Sequence, residues 1–266
     1  MYDRFKRKIS YLRISVTDRC NLRCRYCMPE EGIKLLKHSD IISFEEIEEA
    51  VRYCTSLGIL KIRITGGEPL VRKGIVELVE KISAIKGVED LSMTTNGTLL
   101  KNFAQQLSMA GLRRINISLD TIDEVKFEEI TRKNLLHNIF EGIEAAKEAG
   151  LFPIKINCVL LKKDDRKYAQ EVKKFAFKNG LQIRFIHQMD LTDGNFSIVE
   201  GGDGGNCKVC NRIRLTASGL IKPCLFSDLG YSIRKLGIEK AINLALGNKP
   251  ESGTYNKSER FYEIGG

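Results

Sequence analysis

Short β-branched runs alternate with longer amphipathic segments along this chain, and that alternation limits the fold more than any other feature. Candidate strands are Leu12–Val16, Ile62–Thr65, Leu91–Thr94, Arg114–Ser118, Ile154–Val159 and Ile183–Ile186. Helical patterns lie between them. Ser43 followed by Glu46 is a capping-box signature, and Gly58 marks where that helix stops. Lys73–Ile85, Leu100–Ala110, Asn138–Ala149 and Asp165–Lys178 read as further helices, with a shorter one at Asp123–Thr131. Such alternation predicts an α/β fold with a parallel sheet, either doubly wound or a partial (β/α)6 barrel of TIM type. Ligands of these folds collect at the C-terminal ends of the strands. Thr17-Asp18, Gly66-Gly67-Glu68-Pro69, Thr95-Asn96-Gly97 and Asp120 all follow strands, so one site at one rim is expected.

The 266 residues suffice for one sizeable core. The alternation ends after Asp190, and the Gly-rich stretch Leu191–Asn206 reads as a linker. Residues 1–190 are therefore expected to form the barrel, and 191–266 a small C-terminal module. That module holds a short strand at Asn195–Val199, a helix over Ile233–Leu246 and a polar tail, Asn248–Gly266, whose default expectation is disorder.

Lys and Arg number 43 against 34 Asp and Glu, a formal charge of +9. This balance favours an anionic partner. The basic clusters are short, as at Arg4–Lys8, and lack aromatic interleaving, which argues against nucleic acid. No apolar run reaches membrane length and the N-terminus lacks an apolar leader, so a cytoplasmic, membrane-free protein is expected.

Cysteines narrow the chemistry. Cys54 and Cys158 sit in apolar or mixed segments and read as buried bystanders. The other six form two groups, Cys20, Cys24, Cys27 and Cys207, Cys210, Cys224. In a reducing compartment such clustering signals metal or chemistry. The first group has the spacing CxxxCxxC on a loop after a strand. Three thiolates can hold three irons of a 4Fe–4S cluster and leave the fourth iron open for a ligand; zinc with a distant fourth ligand is the rival reading. For the second group zinc and iron–sulfur are both open on spacing alone.

CxxxCxxC with Tyr26 before the third cysteine, together with Gly66-Gly67-Glu68-Pro69, resembles the radical S-adenosylmethionine superfamily. Cys207-Lys208-Val209-Cys210-Asn211-Arg212-Ile213-Arg214-Leu215-Thr216 with the later Pro223-Cys224-Leu225 is similar to the GTP 3′,8-cyclases of molybdenum-cofactor biosynthesis. Tyr11–Cys20, Lys61–Leu70, Thr94–Gly97, Asn116–Asp120 and the terminal Gly265-Gly266 extend the resemblance over nearly the whole chain.

The resemblance implies a radical S-adenosylmethionine partial barrel with a C-terminal iron–sulfur module, two 4Fe–4S clusters and S-adenosyl-L-methionine. It implies that Cys20, Cys24 and Cys27 hold one cluster and Cys207, Cys210 and Cys224 the other, whose open iron binds guanine. Tyr26, Gly66, Gly67, Glu68, Ser118 and Met189 would contact S-adenosylmethionine. Arg13, Arg63, Thr94, Lys155 and the run Arg212, Ile213, Arg214 would contact GTP, and Arg212, Arg214, Gly265 and Gly266 would serve catalysis. The implied reaction abstracts the ribose 3′ hydrogen of GTP and joins that carbon to C8 of the base, giving 3′,8-cyclo-7,8-dihydro-GTP. An electron donor, a downstream cyclic pyranopterin monophosphate synthase and a homodimer would be its partners. The chain departs from the family in two places: sixteen residues separate Asp190 from Cys207, where the family carries a considerably longer segment, and His187-Gln188 before Met189 is unlike the acidic residue usual there. Two other readings are a radical enzyme that modifies a peptide using an auxiliary cluster, and a non-catalytic metal-binding module that binds RNA.

Overall fold

The computed structural model describes residues 1–161, 166–257 and 261–265. All six strands expected of the barrel are present: β1 (Tyr11–Ser15), β2 (Lys61–Thr65), β3 (Asp90–Thr95), β4 (Arg114–Ser118), β5 (Ile154–Leu160) and β6 (Gln182–His187). They lie side by side in chain order and each neighbouring pair is parallel, giving the open, partial TIM-like barrel. The connecting helices are α1 (Phe44–Ser56), α2 (Ile75–Ser83), α3 (Leu100–Met109), α4 (Glu124–Thr131), α5 (Leu136–Glu148) and α6 (Arg166–Lys178). Local chemistry fixes their ends. Ser43 Oγ accepts from the Glu46 N–H while the Glu46 carboxylate accepts from the Ser43 N–H, so α1 starts in a capping box. Asp123 caps α4 through the Lys126 N–H. Asp165, the expected start of α6, lies outside the described residues.

Parallel strands covered by helices usually read as continuous apolar runs, but these alternate. Leu12, Ile14, Ile62, Ile64, Ile115 and Ile117 are fully buried and share one core with Ile47, Leu78, Leu107 and Ile143 of the helices. Cys54 and Cys158 are buried in that core, as expected. Alternate positions carry Arg13, Arg63, Ser92, Asn116 and Asn157. Successive strand residues face opposite sides, so the inner face of the barrel is polar and charged.

The C-terminal part does not build its own sheet. β7 (Arg212–Leu215) runs parallel to β1, with Tyr11 opposite Arg212, and β8 (Leu220–Lys222) and β9 (Tyr231–Ser232) follow antiparallel. The nine strands lie in the order β6-β5-β4-β3-β2-β1-β7-β8-β9. The boundary expected at Asp190 is therefore no break in the sheet. What sets the C-terminal part off is a small second core of Leu191, Leu225, Phe226 and Ile264. The strand expected at Asn195–Val199 is absent; isolated bridges join Asp190 to Asn195 and Phe185 to Glu200, and the glycine turn that follows stops any ladder. The helix expected over Ile233–Leu246 is split by Gly237 into α7 (Ile233–Leu236) and α8 (Ile238–Gly247). The described part of the tail is packed rather than loose: α9 (Phe261–Ile264) docks beside β1 and Ile264 is fully buried.

Candidate functional site

Cys20, Cys24 and Cys27 lie on the loop that leaves the C-terminal end of β1. The Cys27 N–H donates to the Cys24 carbonyl at 2.9 Å, closing a turn, and Asn96 Nδ2 approaches Cys20 Sγ at 3.8 Å. The three thiols sense one another, and burial raises them all. Cys20 is pushed up to about 11, first by burial and then by the Glu68 carboxylate. Cys27 is pushed up to about 12 by burial and then by Cys20. Cys24 is raised by burial and then by Asp120.

The Gly66–Pro69 turn abuts this loop. The Gly67 N–H donates to the Thr17 carbonyl at 2.7 Å and the Glu68 N–H to the Arg19 carbonyl at 2.8 Å. A Cβ on Gly67 would strike the Arg19 carbonyl, so glycine is required by the packing of two strand-end loops against each other. Glu68 is fully buried, and its carboxylate accepts from the Leu70 N–H at 3.0 Å, the Thr95 hydroxyl at 2.7 Å and the Asn96 N–H at 2.6 Å. It braces the ends of β2 and β3. Two of these bonds fall on Oε1 and one on Oε2, which leaves Oε2 acceptor capacity for a ligand ammonium. Tyr26 donates to Asp120 Oδ2 at 2.8 Å, and the other Asp120 oxygen accepts from the Val159 N–H at 2.7 Å, which ties the cysteine loop to β5. Ser118 ends β4 on the inner face.

The second group lies elsewhere. A cavity of about 570 Å³ runs from the inner face, at Arg13, Arg63 and Lys155, to Cys207, Cys210 and Cys224, with Met189 also on its wall. Because β7 is parallel to β1, Cys207 and Cys210 precede it at the N-terminal end of the sheet. The first cysteines leave the opposite end. The expectation of a single rim is therefore not met, since the site spans the inner face, roughly 13 Å along β1 at the usual rise of a strand. No three His, Cys, Asp or Glu side chains converge on a single-ion site among the described residues. All six cysteines are free, and sulfur-only trios match the donor chemistry of iron–sulfur clusters.

The cavity is strongly cationic. Arg13 is depressed well below the usual arginine range by burial and then by Arg214. Arg214 is lowered to about 10 by burial and then by Arg212. The Asp90 carboxylate on the same wall is held by Arg114 at 2.7 Å. Such crowding suits a polyanion. The Tyr11 hydroxyl, Thr94 Oγ1, both amide atoms of Asn116 and Asn157 Oδ1 are buried without a hydrogen-bond partner among the described residues. Native proteins rarely leave such atoms unpaired, so this face fits a polar ligand.

Ile213 does not point into the cavity. It is fully buried opposite Leu12 in the apolar core, because strand alternation turns it away while Arg212 and Arg214 face in. Its side chain is therefore withdrawn from the contact expected of it, and only its backbone could take part. Gly265 sits at φ +74° with its carbonyl accepting from Arg214 Nη1 at 2.7 Å, and a Cβ there would collide with Thr65. Gly266 lies outside the described residues. Sequence reasoning missed Lys61, Arg114, Arg184 and Lys249, which also line the cavity. The available signal was the spacing of two between Lys61 and Arg63, which places both on one face.

The radical SAM superfamily model matches residues 14–176. The GTP 3′,8-cyclase of Thermodesulfovibrio yellowstonii is 45% identical over 89% of this chain and 88% of its own length. That of Campylobacter fetus is 40% identical over the whole of both chains, along an alignment of 322 positions. That relative therefore carries residues that the 266 here lack, in keeping with the short connection after Asp190. Among solved structures, anSMEcpe with bound AdoMet matches at TM-score 0.65 and 17% identity, over 91% of this chain and 81% of that one. SuiB of Streptococcus suis bound to its precursor peptide SuiA matches at TM-score 0.65 and 18% identity, over 91% of this chain and 65% of that one. These two likenesses concern the fold.

Proposed function

The chain belongs to the radical S-adenosylmethionine superfamily and, within it, to the GTP 3′,8-cyclase family, and from that premise we propose how its residues carry out the cyclase reaction. The observation that carries the reading is one continuous cationic cavity between Arg13, Arg63 and Lys155 and the second cysteine group. Cys20, Cys24 and Cys27 would hold one 4Fe–4S cluster and Cys207, Cys210 and Cys224 the other. When bound, the first cluster and S-adenosylmethionine supply a carbon radical that abstracts a hydrogen.

This chain's residues do the rest. The Gly66–Pro69 turn, Tyr26, Ser118 and Met189 bind and orient S-adenosylmethionine at the C-terminal end. Arg13, Arg63 and Lys155 pair with the triphosphate of GTP. The guanine lies toward Cys207, Cys210 and Cys224, beside Arg212 and Arg214. Held in this way, the ribose 3′ carbon meets C8 of the base as an intramolecular pair, which converts an improbable encounter into a favoured one. Gly265, fixed by Arg214, closes the site between β2 and β7. A one-electron donor, a downstream cyclic pyranopterin monophosphate synthase, a homodimer and a cytoplasmic setting belong to the same proposal. A peptide substrate is not favoured, because the likeness to SuiB is one of fold at 18% identity.

The test is an anaerobic assay of reconstituted protein with S-adenosylmethionine, dithionite and GTP. The expected result is 5′-deoxyadenosine and 3′,8-cyclo-7,8-dihydro-GTP formed in step. 5′-Deoxyadenosine without the cyclised nucleotide would refute the substrate; neither product, from protein shown to hold its iron, would refute the catalysis.

A further inference from the structure

Lys249 is 1% exposed and belongs to the polar stretch after α8. Its ammonium donates to the Arg212 carbonyl at 2.7 Å and to the Pro223 carbonyl at 2.7 Å. Those carbonyls belong to the two segments that deliver Cys210 and Cys224. The same ammonium lies within electrostatic reach of Cys210 and Cys224. It also lines the cavity. Neither hydrogen-bonded oxygen is a carboxylate, and no salt bridge of Lys249 occurs among the described residues.

A buried ammonium held only by neutral carbonyls is expensive, because desolvation is repaid only by a charge of opposite sign. The acids and bases nearby do not supply it: Arg212 and Arg214 are cations. A cluster held by Cys207, Cys210 and Cys224 would supply it. Three thiolates outweigh the positive charge of an oxidised 4Fe–4S core, and reduction adds a further negative charge. We propose that Lys249 is a positioning residue of the second cluster, one that fixes the Cys210 and Cys224 segments to each other and balances the cluster's charge so that its reduced form is favoured. This rests on the assignment of a cluster to Cys207, Cys210 and Cys224.

The experiment isolates that cluster in the full chain by replacing Cys20, Cys24 and Cys27 with Ala, then reconstitutes iron and sulfide. Iron content and the midpoint potential, read by mediated titration with electron paramagnetic resonance, are compared for Lys249, Lys249→Gln and Lys249→Arg. The expected result is a potential displaced to more negative values in Lys249→Gln, which retains a hydrogen-bond donor without charge, and near the starting value in Lys249→Arg. Loss of iron in Lys249→Gln with retention in Lys249→Arg would support the same conclusion. An unchanged potential in Lys249→Gln, or equal loss of iron in both variants, would overturn the charge-balancing role. A Lys249 background protein that binds no iron would overturn the cluster assignment as well, which distinguishes the two failures.

Discussion

The two cysteine groups have the same number of thiols and opposite surroundings. Cys20, Cys24 and Cys27 fall within eight residues of one another and face the carboxylates Glu68 and Asp120. Cys207, Cys210 and Cys224 are assembled from distant segments and face cations. Burial raises Cys210, but Lys249, the Arg212 backbone hydrogen bond and the Arg212 charge outweigh it, and the thiol ends below its ordinary value. Arg7, paired with Asp3 at 2.7 Å, donates to the carbonyls of Cys207 at 2.8 Å, Glu251 at 2.7 Å and Pro250 at 2.6 Å, which binds the N-terminus, the second cysteine loop and the tail together. Negative surroundings make a cluster a stronger reductant, and positive ones favour a reduced cluster or an anionic ligand. The contrast accords with the proposed division, electron delivery by the first group and substrate holding by the second.

The sharpest way to break the contrast is to remove one thiol from each side. Cys20→Ala is expected to abolish S-adenosylmethionine cleavage, whereas Cys224→Ala retains uncoupled 5′-deoxyadenosine formation and loses the cyclised nucleotide. Equal loss of cleavage in both would show that the groups do not divide the work. Next in size, Arg63→Ala removes one charge-assisted contact worth about 1.5–3 kcal/mol, or about 10- to 160-fold in GTP affinity, with S-adenosylmethionine affinity unchanged. Equilibrium binding of each ligand alone checks this, and a parallel fall in both affinities would contradict it.

Glu68→Gln acts on the other end. It leaves a buried N–H without its acceptor, a cost of about 1–3 kcal/mol in unfolding free energy, while GTP binding is spared. A pH dependence accompanies it. Burial pushes the Glu68 carboxyl up to about 7, although hydrogen bonds from the Asn96 N–H, the Thr95 hydroxyl and the Leu70 N–H pull the other way. The native state then holds this proton more tightly than the unfolded chain does. The linked stability is full at low pH, below the ordinary carboxyl range, and is lost as pH rises through about 7. The difference in thermal stability between the natural chain and Glu68→Gln should shrink across that window; a flat difference would reject the linkage. The smallest effect concerns the core under the second group. Phe196 stacks on Phe226 with ring centroids 4.4 Å apart, and Phe196→Leu is expected to lose about 0.5–1.5 kcal/mol. Iron content of the second group should fall before that of the first, as titration of iron release on heating can establish.

Much of this was legible in the residues. The alternation of patterns located every strand from β1 to β6, and capping chemistry located the start of α1. Cysteine spacing marked Cys20, Cys24 and Cys27 as one group because residues this close in sequence share one loop, whereas Cys224 joins Cys207 and Cys210 only through the β7–β8 hairpin. The opposition of the groups across the sheet was not legible. It depends on the pairing of Tyr11 with Arg212, and strand pairing at such separation leaves no local trace. The same pairing turned Ile213 into the core. Lys249 was hidden for a related reason: it lies in a polar tail, and only tertiary contacts bury it.

The return of β7 to β1 also bears on how the protein is made. Until residue 212 has left the ribosome, β1 keeps one bare edge in the middle of what becomes the sheet. Exposed edges of this kind are sites of misassociation, and contacts between remote parts of a chain form slowly. The first cysteine loop leaves a strand made early, whereas Cys207, Cys210 and Cys224 take their places only once β7 and β8 close that edge.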